Sequence, residues 1–332
     1  MKKKAVFLLR PEAFAKIYGE RQLAAIRGLV EITGPLPAAG EPPPGGDVLR
    51  EAAIAFGGWG SPVLDQPLLD RMPALEAFFY GAGSIRGIAT PAFWARGIPL
   101  TSSYAANAVP VAEFAEAQII LALKRAWPLA AACRGQRRHA RESIAGAYGT
   151  TVGLVGLGMI GKLTARRLQT HETRVLAYDP FVTQQQADAL DLRVTMTPLE
   201  TLFAACEAVS LHAPNIPATR GMITRGLLAS MKPHATLINT ARGALIDEPG
   251  LVEVLAARPD LTALLDVTDP EPPAPGSPLF TLPNVFLTPH IAGSMAGECN
   301  RMGQLAVEEC RRFLRGEPLQ WAITRELAEH MA

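Results

Sequence analysis

The sequence predicts an α/β protein of two domains, each built on a doubly wound parallel sheet. Three observations carry that prediction. The chain has 332 residues, more than one average domain needs. Short apolar runs alternate with helical patterns nearly throughout, the mark of βαβ units. And these units fall into two series, one in the first third of the chain and one starting at Thr151. With 48% of residues hydrophobic, two sizeable cores are within reach.

The first element follows Lys2-Lys3-Lys4. Its apolar run, Ala5 to Leu9, ends at Arg10-Pro11 and is too short for a signal-peptide core, so a buried strand is expected. Helical patterns span Phe14 to Ile26 and Pro67 to Met72. Strands are expected at Ala53 to Phe56, before Gly57-Gly58-Trp59-Gly60, and at Phe78 to Tyr80, before Gly81-Ala82-Gly83. Pro35 through Gly46 reads as a surface loop, because consecutive prolines join neither helix nor ladder. A long helix is expected from near Asn107 to about Trp127, stopping at Pro128. The basic stretch Arg134 to Arg141 reads as solvated loop.

In the second series, strands are expected at Val152 to Val155, Arg174 to Tyr178, Val194 to Met196, Ala208 to Leu211, Ala235 to Asn239, Leu261 to Val267 and Val285 to Leu287. A final helix from Ser294 to Arg315 is long enough to return the chain to the first domain. The aromatic residues Trp59, Trp94, Phe79 and Tyr80 are expected in cores.

The formal net charge of +1 gives no electrostatic reason to expect nucleic acid or an anionic membrane, so a small ligand is the expected partner. No run approaches the roughly 18 uninterrupted apolar residues of a membrane helix. Cys133, Cys206, Cys299 and Cys310 lack paired or metal-type spacing and fit reduced thiols in a cytoplasmic protein. No metal is expected.

Gly156-Leu157-Gly158-Met159-Ile160-Gly161 follows the apolar strand Val152 to Val155 and opens a helical pattern. Alone, Gly-x-Gly-x-x-Gly is weak; between strand and helix it predicts a dinucleotide site. Gly156 permits the tight turn, Gly158 leaves room for a pyrophosphate, and Gly161 lets helix and strand pack closely. The free N–H groups at Met159 and Ile160 face phosphate charge. The next strand ends in Tyr178-Asp179-Pro180, where a carboxylate can accept from both ribose hydroxyls and repel a 2′-phosphate, which favours NAD.

Hydride transfer requires a proton-exchanging group and a cation for a carboxylate. Three segments after late strands offer them: Asn239-Thr240-Ala241-Arg242-Gly243, Asp266-Val267-Thr268-Asp269-Pro270-Glu271-Pro272, and Thr288-Pro289-His290-Ile291-Ala292-Gly293. His212, His139, His171, His234 and His330 read as structural or surface residues.

With these motifs the chain resembles the D-isomer-specific 2-hydroxyacid dehydrogenase family. The matching stretches are Gly153 to Gly161, Leu211 to Pro214 with Thr219-Arg220, Asn239 to Gly243, Asp266-Val267 with Glu271-Pro272, and Pro289-His290. The resemblance implies a Rossmann NAD-binding domain over residues 105–294, inserted into a flavodoxin-like substrate domain made of 1–104 and 295–332. It implies hydride exchange between a small 2-keto acid and its D-2-hydroxy acid, with hydroxypyruvate, glyoxylate and 3-phosphoglycerate as candidates. Arg242 would orient the carboxylate and polarise the keto oxygen. His290 would be the acid and base, and Glu271 would hydrogen-bond it and favour the imidazolium. Asp266 would reach the nicotinamide end, while Thr240, Ala241, Ala213, Pro214, Thr219, His290 and Gly293 would line the cofactor. Ala82, Gly83 and Ser84 would offer backbone N–H groups to the substrate. Closure of a cleft by hinges near Ser102 to Asn107 and Gly293 to Gly297 is expected, as is a homodimer through the helix after Asn107. An NAD(H)-sensing co-repressor on the same fold is the alternative. Gly83-Ser84-Ile85-Arg86 departs from the acidic turn usual in the family, and Thr268 stands where an aromatic is usual.

Overall fold

A computed structural model describes residues 2–40, 44–137, 139, 144–329 and 331. Pro42, Pro43, His330 and part of the basic stretch, including Arg141, lie outside the described residues. The chain divides into two compact units, Met1–Asn107 with Ser294–Met331, and Ala108–Gly293.

The first unit begins with strand β1 (Lys4–Leu8), helices α1 (Pro11–Ile17) and α2 (Glu20–Leu29), β2 (Glu31–Ile32) and α3 (Asp47–Glu51). It continues through β3 (Ile54–Gly57), α4 (Gln66–Arg71), β4 (Ala77–Tyr80), α5 (Pro91–Ala95) and β5 (Leu100–Ser102). The single helix expected from Phe14 to Ile26 is two. The break falls at Tyr18-Gly19, where the buried Tyr18 ring turns inward and its hydroxyl donates to the Gly57 carbonyl at 2.8 Å. Trp59 is 36% exposed and does not join the core, whereas Phe79 and Tyr80 are buried.

Helix α6 (Tyr104–Leu123) then carries the chain into the second unit, followed by α7 (Ala126–Gln136). Here too two helices replace one. The chain turns at Arg125, whose φ of +51° lies in the left-handed region. Pro128 stands inside the first turn of α7, where its missing N–H costs no helical bond, so it does not stop the helix. Arg134 is accordingly helical rather than looped. Among the described residues α6 is the one helix long and apolar enough to cross a membrane by length and composition, with a mean hydropathy of 1.3. Yet 56% of that window is buried within the protein, as in a core helix. Its Glu113 and Glu116 pair with Arg167, and Glu116 also meets His171.

The rest of this unit alternates strand and helix up to β11, with only a 3-10 turn before the last strand: β6 (Thr151–Val155), α8 (Met159–Leu168), β7 (Arg174–Tyr178), α9 (Gln184–Ala189), β8 (Val194–Met196), α10 (Leu199–Ala205), β9 (Ala208–Leu211), α11 (Arg225–Ala229), β10 (Thr236–Asn239), α12 (Glu248–Ala257), β11 (Thr262–Leu265) and β12 (Val285–Leu287). The seven parallel strands lie in the order β12-β11-β10-β9-β6-β7-β8. This is the doubly wound Rossmann order, with its switch point between β6 and β9. Strand burial is complete in β6, β9, β10 and β11, as expected for a sheet covered on both faces.

Back in the first unit, a 3-10 turn (Ala296–Glu298) leads into α13 (Cys299–Leu314), β13 (Ala322–Ile323) and α14 (Arg325–Glu329). The helix expected from Ser294 to Arg315 thus begins at Cys299, and it is not the last, because α14 follows it. The first sheet has the order β13-β5-β4-β3-β1-β2. Its five parallel strands follow the flavodoxin-like order, and β13 adds an antiparallel edge that no sequence periodicity announces, being two residues long. Helix α13 places Cys299, Met302, Ala306, Val307 and Cys310 in one core with Phe7, Ile17, Phe56 and Phe79. Gly303 permits that approach: a Cβ there would lie 2.0 Å from the Ile17 carbonyl oxygen.

Candidate active site

The glycine turn lies at the carboxyl end of β6. Gly156 has φ +98°, and a Cβ on it would come within 2.7 Å of the Ala213 nitrogen across the switch point. A Cβ on Gly161 would lie 2.0 Å from the Gly156 oxygen. A Cβ on Gly158 would meet nothing within 4 Å. Two glycines are therefore required by packing, and the third leaves open space at the N-terminus of α8. The cradle fits a dinucleotide pyrophosphate.

Asp179 follows β7 and ties the turn together. Its Oδ2 accepts the Leu157 N–H at 2.7 Å and its Oδ1 the Phe181 N–H at 2.9 Å. Each carboxylate oxygen retains a lone pair for a further donor. Ala213 and Pro214 follow β9 opposite the turn. The Thr219 hydroxyl donates to the Pro214 carbonyl at 2.5 Å and accepts from the Ile216 N–H at 3.0 Å, so its donor is used to hold this loop.

His212 occupies the same place and had no role assigned from sequence. It is 8% exposed, and neither ring nitrogen has a hydrogen-bond partner. Burial without a partner opposes the imidazolium and pushes the pKa down to about 4.

At the carboxyl ends of β10, β11 and β12 the remaining unit-two candidates gather. Asn239 builds the turn that presents Arg242: its Oδ1 accepts the Ala241 N–H at 3.0 Å and its Nδ2 donates to the Arg242 carbonyl at 2.9 Å. The Arg242 guanidinium donates to the Ala241 carbonyl at 2.6 Å. Gly243 closes the turn, because a Cβ there would lie 2.0 Å from the Thr268 carbonyl carbon. The Thr240 hydroxyl is buried without a partner. It lines a cavity of about 250 Å³ together with Asp266, Thr288 and Trp127.

Asp266 was expected to reach the cofactor; its carboxylate is committed first to the segment carrying His290. Only 3% of Asp266 is exposed. Its Oδ1 accepts the Thr288 hydroxyl at 2.6 Å and the Ile291 N–H at 2.9 Å, and its Oδ2 accepts the Ala292 N–H at 2.9 Å. The Asp266 carbonyl takes the His290 N–H at 3.0 Å. Thus bracketed, His290 adopts φ +54°, a left-handed conformation that few non-glycine residues hold without support. Its Nδ1 lies 2.5 Å from Glu271 Oε1. Both side chains are substantially exposed, 49% and 40%, so this contact orients the ring far more than it stabilises the fold. Gly293 ends the segment.

In the first unit, Ala82, Gly83 and Ser84 follow β4. The Ser102 hydroxyl lies 3.0 Å from the Ala82 carbonyl and 2.5 Å from that of Gly83, turning both inward. Among the described residues no protein acceptor meets the N–H of Gly83 or Ser84. Ser102, expected only as a hinge position, and Asn239, expected only as the start of the Arg242 motif, are positioning residues. Both are buried polar residues at strand ends, but their partners are defined only by tertiary geometry.

Residues 117–292 match the D-isomer specific 2-hydroxyacid dehydrogenase, NAD binding domain. The chain belongs to that family, and its second unit is an NAD-binding domain. It is 34% identical over 230 residues to the D-3-phosphoglycerate dehydrogenase of Archaeoglobus fulgidus, covering 69% of this chain and 43% of that protein. The chain thus spans less than half the length of that relative. The (S)-sulfolactate dehydrogenase of Chromohalobacter salexigens is 35% identical over 253 residues, covering 76% of this chain and 81% of that one. The fold matches the NAD-complexed D-isomer specific 2-hydroxyacid dehydrogenase of Lactobacillus delbrueckii ssp. bulgaricus with a TM-score of 0.79, at 22% identity over 97% of this chain and 99% of that chain.

Proposed function

We propose that this protein is an NAD-dependent oxidoreductase that interconverts a small 2-keto acid and its D-2-hydroxy acid, with His290 as the acid and base. The observation that carries the reading is the His290–Glu271 contact of 2.5 Å at the carboxyl edge of a Rossmann sheet. Bound NADH supplies the hydride. Engagement of Nδ1 by Glu271 leaves Nε2 of His290 to give a proton to the carbonyl oxygen in reduction and to take it back in oxidation. Arg242 carries the fixed positive charge for a carboxylate and polarises the keto oxygen. Gly83 and Ser84, with Ala82, supply the unpaired N–H donors of the substrate loop. Asp179 selects NAD by repelling a 2′-phosphate.

Residues 105–294 form the cofactor domain in this reading, and 1–104 with 295–332 the substrate domain. The protein works as a homodimer through α6 and α7: no residue of α7 is fully buried although Ala126 to Cys133 is apolar, and Leu121 is 39% exposed. The four free cysteines support a reducing, cytoplasmic compartment.

NADH oxidation with a panel of 2-keto acids tests the activity. The His290→Ala variant should keep NADH affinity and lose about 10²–10⁴ in kcat. Binding of NADH with no turnover on any 2-keto acid would sink the proposal.

A further inference from the structure

The amino ends of β6, β7 and β8, opposite to the edge that carries the glycine turn, flank an open surface groove of about 740 Å³. Its walls are Arg174, Arg193, Lys232, Thr151, Thr173 and Thr195, with Ala204 and Ala205 at the end of α10 leaving room above them. Parallel register pairs Thr151 with Arg174 and Val175 with Val194, so Arg193, one residue earlier, stands beside Arg174 in the same row and on the same face. Two like charges side by side on adjacent strands repel each other.

Lys232 is neutralised by Glu207 at 2.5 Å, and Glu207 also accepts the Thr151 N–H at 2.8 Å. No carboxylate or carbonyl does the same for Arg174 or Arg193; among the described residues neither guanidinium has an ion pair or a hydrogen bond. The Thr173 hydroxyl beside them is buried and also lacks a partner. A paired, uncompensated guanidinium row with an unused hydroxyl is the donor set of a phosphate site: planar forks match phosphate oxygens two at a time. The volume lies within the range of small-metabolite sites.

We propose that this groove binds a small phosphomonoester, separately from the dinucleotide. The phosphate bridges Arg174 and Arg193, relieves their repulsion and accepts from Thr173, while the rest of the ligand occupies the space under α10. Lys232 is already neutralised by Glu207 and offers no net charge to a second anionic group, so a single phosphate is preferred to a polyanion.

The test is titration of the full chain, saturated with NADH so that the glycine turn is occupied. Inorganic phosphate and glycerol phosphate serve as probes, at constant ionic strength held by chloride and followed by calorimetry. Binding should be saturable and at least about tenfold weaker in the Arg174→Gln, Arg193→Gln double variant, since each lost charge-assisted bond is worth about that factor. Without phosphate the exposed double substitution should leave the fold intact and melt no lower than the parent. Tighter binding of glycerol phosphate than of inorganic phosphate identifies the phosphomonoester; equal binding of the two reduces the site to one for the free ion and overturns that part. Absence of saturable binding by the parent, or unchanged binding by the double variant, overturns the site.

Discussion

Acid should weaken the second unit through His212, by an amount that the structure sets. The folded pKa is about 4 and the ordinary value 6.5, with burial the cause. As pH falls, the unfolded chain takes the proton first, so the folded state has its full stability above about pH 6.5 and loses it progressively as pH falls to about 4. A gap of this size corresponds to about 3 kcal/mol at full effect, of which about 2 kcal/mol is lost between pH 7 and pH 5. The perturbation is His212→Leu, which removes the titrating group, keeps nearly the same volume and leaves no polar atom without a partner. Urea unfolding is followed through hydrogen exchange of the β9 amides, so that the second unit is read apart from the first. The stability difference between parent and variant should shift by about 2 kcal/mol from pH 7 to pH 5, in favour of the variant. Equal pH slopes for the two proteins would refute the reasoning and would mean that a proton donor or water serves His212.

Asp179→Ala should raise affinity for NADPH relative to NADH by at least about tenfold, as like-charge repulsion is removed. It should also lower the melting temperature, because the Leu157 and Phe181 N–H groups lose their acceptor. A lower melting temperature with an unchanged cofactor ratio, read by fluorescence titration, would leave Asp179 as a turn residue only. For the homodimer, sedimentation should give twice the 35.5 kDa chain mass. Ala130→Glu, on the exposed side of α7, should return the single-chain mass with unchanged helix content; a monomeric parent contradicts the assembly.

Most of the fold was legible because its signals are local. Glycine after an apolar run marks the end of a strand, and the spacing of Gly156, Gly158 and Gly161 reflects steric limits that any such turn must meet. Errors arose where tertiary packing overrode the local pattern. The run from Phe14 to Ile26 is amphipathic throughout, yet the buried Tyr18 breaks it; Pro128 punctuates the sequence but sits in the one turn of a helix that tolerates it. Strand β13 is too short to carry periodicity. At the candidate site, the residue types of Arg242, Glu271 and His290 were visible, since charge and imidazole stand out in apolar surroundings. The supporting bonds were not. Nothing in the spacing says that Ser102 addresses residues 82 and 83, or that Asp266 addresses residues 288 to 292.

The core shared by β1, β3, β4 and α13 bears on how the chain comes to be folded during synthesis. Ile17, Phe56 and Phe79 reach their final environment only when Met302, Ala306 and Val307 are in place, nearly two hundred residues after the parallel strands of the first sheet have been made. The second unit contains all of its own strands and is finished earlier on the ribosome. The first strands therefore wait, one face only partly covered by α1 and α2, until α13 emerges and completes that core. The part of the protein translated first is the part completed last.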